Sequence, residues 1–205
     1  MSLTVLRRLP LLALVAVIAC SSGPSPDGEG DYVANVTAER QKKDAFMRED
    51  PQSPIPVIRR DLLLPLKYYP ADPSYSVPAS LKLANERPAF EMPTSTGTVR
   101  KMERVGVLEF TLQGQPMSLG AFVEEGTQEV LELFVPFADM TTGTETYPAG
   151  RYLDLRPTGT GFYTIDFNKA YNPYCAYNST YECPFPPPSN RLKLAVRAGE
   201  KVPGA

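Results

Sequence analysis

The chain has 205 residues, a formal net charge of −2 and no histidine. Without histidine it cannot build a Ser-His-Asp triad, a Cys-His pair or a histidine-based zinc site, and only thiols and carboxylates remain as ligands for a transition metal. We therefore expect no metal and no cofactor. The basic pairs Arg59–Arg60 and Arg100–Lys101 are too small a basic patch to indicate a nucleic-acid partner.

The first twenty residues have the pattern of a secretory signal. Arg7 and Arg8 precede an apolar run over residues 9–19, which is shorter than the roughly 20 residues that a membrane span needs. A run of this length is typical of the apolar segment of a signal peptide. The run ends Val-Ile-Ala before Cys20, with Ser21 following, and this motif resembles the lipobox of bacterial lipoproteins.

The lipobox resemblance implies that residues 1–19 are removed and that Cys20 is lipidated, with diacylglycerol and a further acyl chain such as palmitate. More than one acyl chain gives a stable membrane anchor. The resemblance thus implies a cell-envelope protein with membrane lipid as a partner. Ser21 favours the periplasmic side of the outer membrane, where the cell has one. The alternative is an ordinary signal peptide with a chance cysteine.

The next segments are a tether and a helix. Residues 20–33 are small and polar, so we expect a flexible tether there. Residues 34–205 then form a single domain of ordinary size. Its first element is a helix predicted over residues 35–50, which Asn35 or Thr37 can cap and Pro51 ends.

The rest of the chain reads as short strands separated by turn residues. Alternating apolar and polar residues are clearest over residues 106–112 and 128–136, and no parallel βαβ pattern is present. We predict a mainly β domain, an antiparallel meander that forms a barrel or a sandwich, with one N-terminal helix and a long Pro/Tyr-rich loop near the C-terminus. The predicted strands are 75–77, 81–83, 87–92, 99–105, 106–112, 117–123, 128–136, 151–155, 161–167 and 191–197.

Three segments near the C-terminus carry a family resemblance. They read FADMTTGTETYPAGR over 137–151, IDFNKAYNPYCAY over 165–177 and CPFPPPSNRL over 183–192, and AGE follows at 198–200. Together they resemble the bacterial family catalogued as domain of unknown function 1684, with Ile165 in place of the usual leucine. The resemblance implies where a site would lie but implies no chemistry.

Cys175 and Cys183 allow several interpretations. In an oxidising envelope we expect a structural disulfide, which would stabilise the fold by about 2–3 kcal/mol. The alternatives are a reactive dithiol, a metal site, for which two thiols without histidine are a poor ligand set, and two unpaired buried cysteines.

The candidate ligand-binding residues are polar and aromatic side chains of the signature segments. Asp166 and Asn168 flank Phe167 and would share one face of a strand. They could line a polar pocket in which Arg151 binds a carboxylate or phosphate, or Asp166 could pair with Arg151 inside the fold. An acid–base pair of Asp139 and Asp166 is a third possibility. The full set is Asp139, Thr141, Tyr147, Arg151, Asp166, Asn168, Tyr171, Asn172 and Asn190.

Two further features bear on function. The loop 139–147 could bind an anion, although it lacks a P-loop lysine. Tyr171, Tyr174, Tyr177 and Tyr181 could form a sugar- or peptide-binding surface, or simply pack the loop. We expect a binding or structural β-domain whose partner is a small molecule or an envelope protein. The alternative is an enzyme that acts on a small envelope metabolite through Asp, Arg, Tyr or thiol chemistry.

Overall fold

The computed structural model describes residues 29–204, which are built around one antiparallel sheet nearly closed into a barrel. The predicted signal peptide, Cys20 and most of the predicted tether lie outside the described residues. The strands run in the order β6-β5-β4-β3-β1-β7, and β2 pairs with β3 beside this path. The mainly β, antiparallel prediction is confirmed. The strands are β1 (Ser76–Leu83), β2 (Ala89–Pro93), β3 (Val99–Leu112), β4 (Gln115–Glu124), β5 (Leu133–Phe137), β6 (Arg151–Leu155) and β7 (Tyr163–Asp166).

Apolar side chains on the inner faces of the strands fill the barrel. The long strand β3 alternates buried and more exposed positions towards its end, as expected for a sheet with one face on a core. Phe167 makes aromatic contacts with Phe110 and Phe137 at centroid distances of 5.9 and 5.3 Å. The fully enclosed side chains include Leu108, Leu112, Leu119, Leu133, Val135, Phe137, Ile165, Phe167 and Val196.

The N-terminal helix is longer than predicted. Helix α1 spans Glu29–Glu49, so it begins six residues before the predicted start at Asn35, and residues 29–33 of the predicted tether are helical. A contact distant in sequence accounts for the difference, because the Tyr32 hydroxyl donates to Asp166 across the domain. A second helix, α2 (Arg60–Leu63), is a single turn. None of the described helices is long and apolar enough to cross a membrane.

Several predicted strands differ from the structure, since 75–77 and 81–83 are parts of the single strand β1, and 99–105 and 106–112 are parts of the single strand β3. Over 128–136 only residues from Leu133 onward pair, and 191–197 is not a strand. The latter segment bonds instead to the chain that follows β5, because Leu192 N–H donates to Ala138 C=O and Met140 N–H donates to Leu194 C=O. The alternation of polar and apolar residues over 191–197 therefore reflects packing against the loop that follows β5, and not pairing as a strand of the sheet.

The barrel stays open between its edge strands β6 and β7. Tyr171 partly bridges the opening, since its backbone N–H and C=O pair with Tyr152 of β6 at 3.1 and 2.9 Å. The chain after β7 then crosses this end of the barrel in 3₁₀ turns at Phe167–Lys169, Tyr174–Ala176 and Pro188–Asn190. The predicted long Pro/Tyr-rich loop is therefore an ordered cover that also contacts α1.

Candidate functional site

Arg151 and Asp139 form a buried ion pair. Arg151 Nη2 lies 2.8 Å from Asp139 Oδ2, and the two side chains are 1% and 0% exposed. Arg151 also donates to the carbonyls of Val196 at 2.9 Å, Glu200 at 3.2 Å and Ala198. Only its Nε is buried without a partner among residues 29–204. The pair ties the C-terminal segment to the barrel and lines no described cavity, so the predicted alternative of an Arg151–Asp166 ion pair is wrong.

The threonine-rich loop after Asp139 satisfies its own polar groups. Thr141 donates to Asp139 Oδ1 through both its backbone N–H and its hydroxyl, each at 2.6 Å. Its hydroxyl also lies 3.0 Å from that of Thr146, and both threonines are buried. An Asp side chain that accepts a hydrogen bond from the backbone N–H two residues later forms an Asx-type turn. This loop is therefore a folded turn rather than an anion cradle.

Asp166 ends β7 and Asn168 lies in the following 3₁₀ turn, so they do not share a strand face as predicted, but their side chains hydrogen-bond to each other and both contact helix α1. Asp166 Oδ1 accepts from the Tyr32 hydroxyl at 2.7 Å, and Asn168 Nδ2 donates to the same hydroxyl at 2.8 Å. Burial and the neighbouring Asp166 carboxylate raise the pKa of Tyr32 above its ordinary value. Asn168 also exchanges hydrogen bonds with the backbone of Asp72. Asp166 and Asp139 thus belong to separate networks, which argues against an acid–base pair.

Glu200 is the buried carboxylate that the candidate list missed. Its Oε2 accepts from the Asn172 N–H at 2.7 Å and the Tyr177 hydroxyl at 2.8 Å, and its Oε1 lies 2.5 Å from Lys43 Nζ of α1. Only 1% of Glu200 is exposed. The AGE signature contained this residue, and the signal that could have singled it out is that Glu200 is the only acidic residue after Glu182 in the sequence.

A cleft of about 100 Å³ lies between α1 and the end of the barrel. Arg40 is its central residue, with Nη1 donating to Tyr69 C=O at 2.9 Å and Nη2 to Asn168 C=O at 3.3 Å. Among residues 29–204 no carboxylate pairs with Arg40, and its Nε is buried without a partner. The cleft is lined by Val36, Glu39, Arg40, Lys43, Tyr68, Asn168, Lys169, Ala170, Tyr171 and Glu200.

Tyr68 adds a second unused polar group to this cleft. Its hydroxyl is buried without a hydrogen-bond partner among the described residues. The Arg40 guanidinium stacks over its ring, 4.5 Å from the centroid. Burial, and next the Glu200 carboxylate, raise the pKa of Tyr68, so the hydroxyl keeps its proton and can donate it. Two donors on residues that line this cleft, Arg40 Nε and the Tyr68 hydroxyl, therefore have no hydrogen-bond partner within residues 29–204.

Cys175 and Cys183 lie in contact as two buried thiols. Cys175 N–H donates to Cys183 Sγ at 3.0 Å, and the Tyr147 hydroxyl lies 3.9 Å from Cys175 Sγ. Both sulfurs are free thiols in the structure, so it does not contain the disulfide predicted from the sequence. The bond itself stays a prediction, and the proximity it requires is present.

The Asn190 side chain links strands β4 and β5 where they do not pair directly. Strands β4 and β5 pair directly only at Phe122 and Phe134. Further along, the fully buried Asn190 amide accepts from Gly120 N–H at 2.7 Å and donates to Gly120 C=O and Pro136 C=O at 2.9 and 2.8 Å. The side chain therefore replaces missing hydrogen bonds between the two strands, which is a structural role.

The predicted candidates do not converge on one cavity. Asn168 and Tyr171 line the α1 cleft, and Tyr147 lines a separate cavity beside the cysteines. The predicted tyrosine surface is also divided, since Tyr177 is fully buried while Tyr174 is 40% exposed. Within residues 29–204, no group of three or more His, Cys, Asp or Glu side chains could hold a metal ion. Much of the signature therefore encodes folding contacts.

Comparison with known proteins identifies the family. No curated protein matches the chain. The solution NMR structure of an uncharacterized protein from Haloarcula marismortui is 40% identical to the chain, covers 84% of it and 95% of its own length, and superposes with a TM-score of 0.65. The model of the family described as "Protein of unknown function (DUF1684)" matches residues 64–201. The chain therefore belongs to the DUF1684 family.

Proposed function

We propose that this protein is a lipid-anchored binding domain of the cell envelope, and that it binds a small carboxylate-bearing molecule in the α1 cleft. The observation that carries the binding proposal is the Arg40 guanidinium, which is half-buried, has no carboxylate partner among residues 29–204 and keeps an unused Nε. The Asp166 and Glu200 carboxylates act on Arg40 without forming an ion pair with it, so a bound anion would make the direct contact that Arg40 lacks and offset part of the cost of its burial.

The charge balance of the cleft supports an anionic ligand. Lys43 pairs with Glu200, and Lys169 pairs with Glu39 at 3.0 Å. Arg40 is the remaining cation of the lining. Arg40 Nε and the Tyr68 hydroxyl are both donors, and charge-assisted hydrogen bonds from a guanidinium to a carboxylate are among the stronger ones. A carboxylate therefore matches both the charge and the hydrogen-bonding groups.

The volume of the cleft limits what enters it. About 100 Å³ corresponds to roughly three water molecules at about 30 Å³ each. We infer that the ligand inserts its carboxylate and that the rest of it lies outside, over α1. The enzyme alternative has less support, because Asp139 and Arg151 bind each other and the backbone.

Binding is tested by asking whether carboxylates stabilise the protein against thermal unfolding and whether Arg40→Gln removes that stabilisation. Acetate, benzoate and succinate are titrated at constant ionic strength into the full chain, with binding followed by the thermal unfolding transition. We expect at least one of these carboxylates to raise the transition temperature, with saturation at high concentration. We expect Arg40→Gln to weaken the affinity for that carboxylate tenfold or more, since a hydrogen bond to a charged group contributes about 1.5–3 kcal/mol.

Arg48→Gln is the matched control on the same helix. Arg48 is partly exposed and pairs with Asp61 at 3.1 Å, so its replacement should leave the carboxylate effect unchanged. If no carboxylate shifts the transition, or if Arg48→Gln abolishes the effect equally, the cleft is not a carboxylate site. An effect of inorganic phosphate alone would also contradict the proposal.

Anchoring is tested separately through Cys20. In a bacterium grown with an alkyne-bearing palmitate analogue, the full chain should take up the label and fractionate with membranes. Cys20→Ser should lose both the label and the membrane association, because the thioether forms on that sulfur. Labelling that persists in Cys20→Ser, or no labelling of the unchanged chain, would contradict the lipoprotein proposal and leave the cleft proposal untouched.

A further inference from the structure

The cysteine pair borders a cavity that is separate from the α1 cleft. This cavity, of about 540 Å³, is lined by Ser95, Ala138, Tyr147, Pro148, Ala149, Phe185, Pro186 and Arg191. Two of these residues contact the cysteines. The Tyr147 hydroxyl lies 3.9 Å from Cys175 Sγ, and Ser95 Oγ accepts from the Cys183 N–H at 3.1 Å. The cavity wall thus adjoins both cysteines.

The two cysteines occupy different environments. The Tyr147 hydroxyl is directed at Cys175 Sγ from 3.9 Å, while Cys183 Sγ accepts from the Cys175 N–H at 3.0 Å. Apolar and aromatic side chains surround both sulfurs, and the nearby titratable or charged groups are Tyr147, Tyr152, Tyr171, Tyr181 and Arg100. Donors directed at one sulfur stabilise a thiolate there.

The pKa values follow this asymmetry. The hydrogen bond from Cys183, and then those from Tyr147 and Ser95, lower the pKa of the Cys175 thiol to about 6 against the effect of burial. The hydrogen bond between the two cysteines, and next burial, raise the pKa of the Cys183 thiol. The directions of the two shifts favour a thiolate at Cys175 and a proton at Cys183. A thiolate is the nucleophile in thiol–disulfide exchange.

The cavity also carries a cation. Arg191 is exposed at its rim and forms no ion pair with the residues of the described chain. The remaining walls at Pro148, Phe185 and Pro186 are apolar. A small organic molecule with a negatively charged group therefore matches this cavity.

We propose that Cys175 and Cys183 form a redox-active dithiol, with Cys175 as the nucleophile, and that the adjoining cavity admits a low-molecular-weight disulfide that carries a carboxylate. Cys175 Sγ attacks one sulfur of the disulfide RSSR, the S–S bond of RSSR breaks, and RS⁻ leaves. The product is a mixed disulfide between Cys175 and the second RS group.

The second step closes the protein disulfide. Cys183 gives its proton to the departing thiolate, its sulfur attacks Cys175 Sγ, and the second RS⁻ is released. The dithiol loses two electrons and the small disulfide gains them. The Cys175–Cys183 bond predicted from the sequence is then the oxidised form of a switch, and the thiol pair in the structure is its reduced form.

The test uses the full chain with Cys20→Ser, so that only two thiols remain. The reduced protein is mixed with oxidised glutathione, quenched with an alkylating reagent and mapped by mass spectrometry. We expect an intramolecular Cys175–Cys183 disulfide. We expect Cys183→Ser to trap glutathione on Cys175 at least tenfold faster than Cys175→Ser traps it on Cys183. Equal rates, or reaction only after denaturation, would overturn the proposal without any bearing on the α1 cleft.

The pH dependence gives a readout that does not depend on a stable variant. Because the pKa of Cys175 is lowered to about 6, its alkylation by iodoacetamide in the otherwise unchanged protein should be half-maximal near pH 6 and level off above it. Tyr147→Phe removes a donor to the thiolate and should move the midpoint to higher pH. A midpoint near the ordinary thiol value of about 8.5 would overturn the assignment of Cys175 as nucleophile.

Arg191→Gln tests whether Arg191 attracts an anionic disulfide without changing the reactivity of the Cys175 thiol. It should slow the reaction with oxidised glutathione, which is anionic, by about three- to tenfold at low salt. Its reaction with the neutral 2-hydroxyethyl disulfide should not change. If both reactions slow equally, or neither does, the cavity does not select an anionic disulfide. Circular dichroism of each variant checks that the fold is retained.

Discussion

Replacing Arg151 by methionine should lower the free energy of unfolding by about 3–5 kcal/mol, the range for breaking one partner of a buried ion pair. The substitution leaves the Asp139 carboxylate, which is 0% exposed, without its counter-charge. It also removes the donor that holds the carbonyls of Val196, Ala198 and Glu200. Chemical denaturation of the full chain measures the difference.

The exposed pair Arg156–Glu132 is the control for this experiment. Its N–O distance is also 2.8 Å, but the Arg156 side chain is 78% exposed. Arg156→Met should therefore change stability by no more than about 1 kcal/mol. The double variant Asp139→Ala with Arg151→Met should cost less than the sum of its single variants, because the second change removes a charge already unpaired. Additive costs, or equal costs for Arg151→Met and Arg156→Met, would show that burial of the pair is not the decisive factor.

Asn190→Ala should destabilise the protein by about 3 kcal/mol, since it leaves three buried backbone groups without a partner and each costs about 1–3 kcal/mol before relaxation. These groups are the N–H and C=O of Gly120 and the C=O of Pro136. The loss should appear as earlier exchange of amide hydrogens in β4 and β5, because direct pairing between these strands is confined to Phe122 and Phe134.

Asn190→Asp distinguishes lost hydrogen bonds from lost volume. The aspartate has nearly the same shape but presents acceptors to two carbonyl oxygens, so its cost should equal or exceed that of Asn190→Ala. Asn178→Ala, at a less buried asparagine whose side chain bonds only to Thr180, should cost about 1 kcal/mol or less. An Asn190→Asp variant as stable as the unchanged chain would contradict the conclusion that the hydrogen bonds of the Asn190 amide hold β4 and β5 together.

Local sequence patterns were enough to predict the class of fold. Alternation over residues 106–112 predicted part of the strand Val99–Leu112, and the predicted strand 117–123 lies within β4. These features are local, since strand alternation and turn chemistry depend on neighbouring residues. The resemblance to the family was equally local, and the family match over residues 64–201 confirmed it.

The roles of the signature residues were decided only by the tertiary structure. The choice of Asp139 rather than Asp166 as the partner of Arg151, the early start of α1 at Glu29 and the position of Glu200 all depend on contacts between distant segments. Lys43 and Glu200 are 157 positions apart, and nothing in the neighbouring sequence of either residue specifies the other. A polar side chain is equally compatible with a ligand and with a buried backbone group until its surroundings are known. In this domain Asp139, Arg151 and Asn190 form contacts within the fold, whereas Arg40 of α1 and Cys175 of the Pro/Tyr-rich loop are the groups that we propose to act on other molecules.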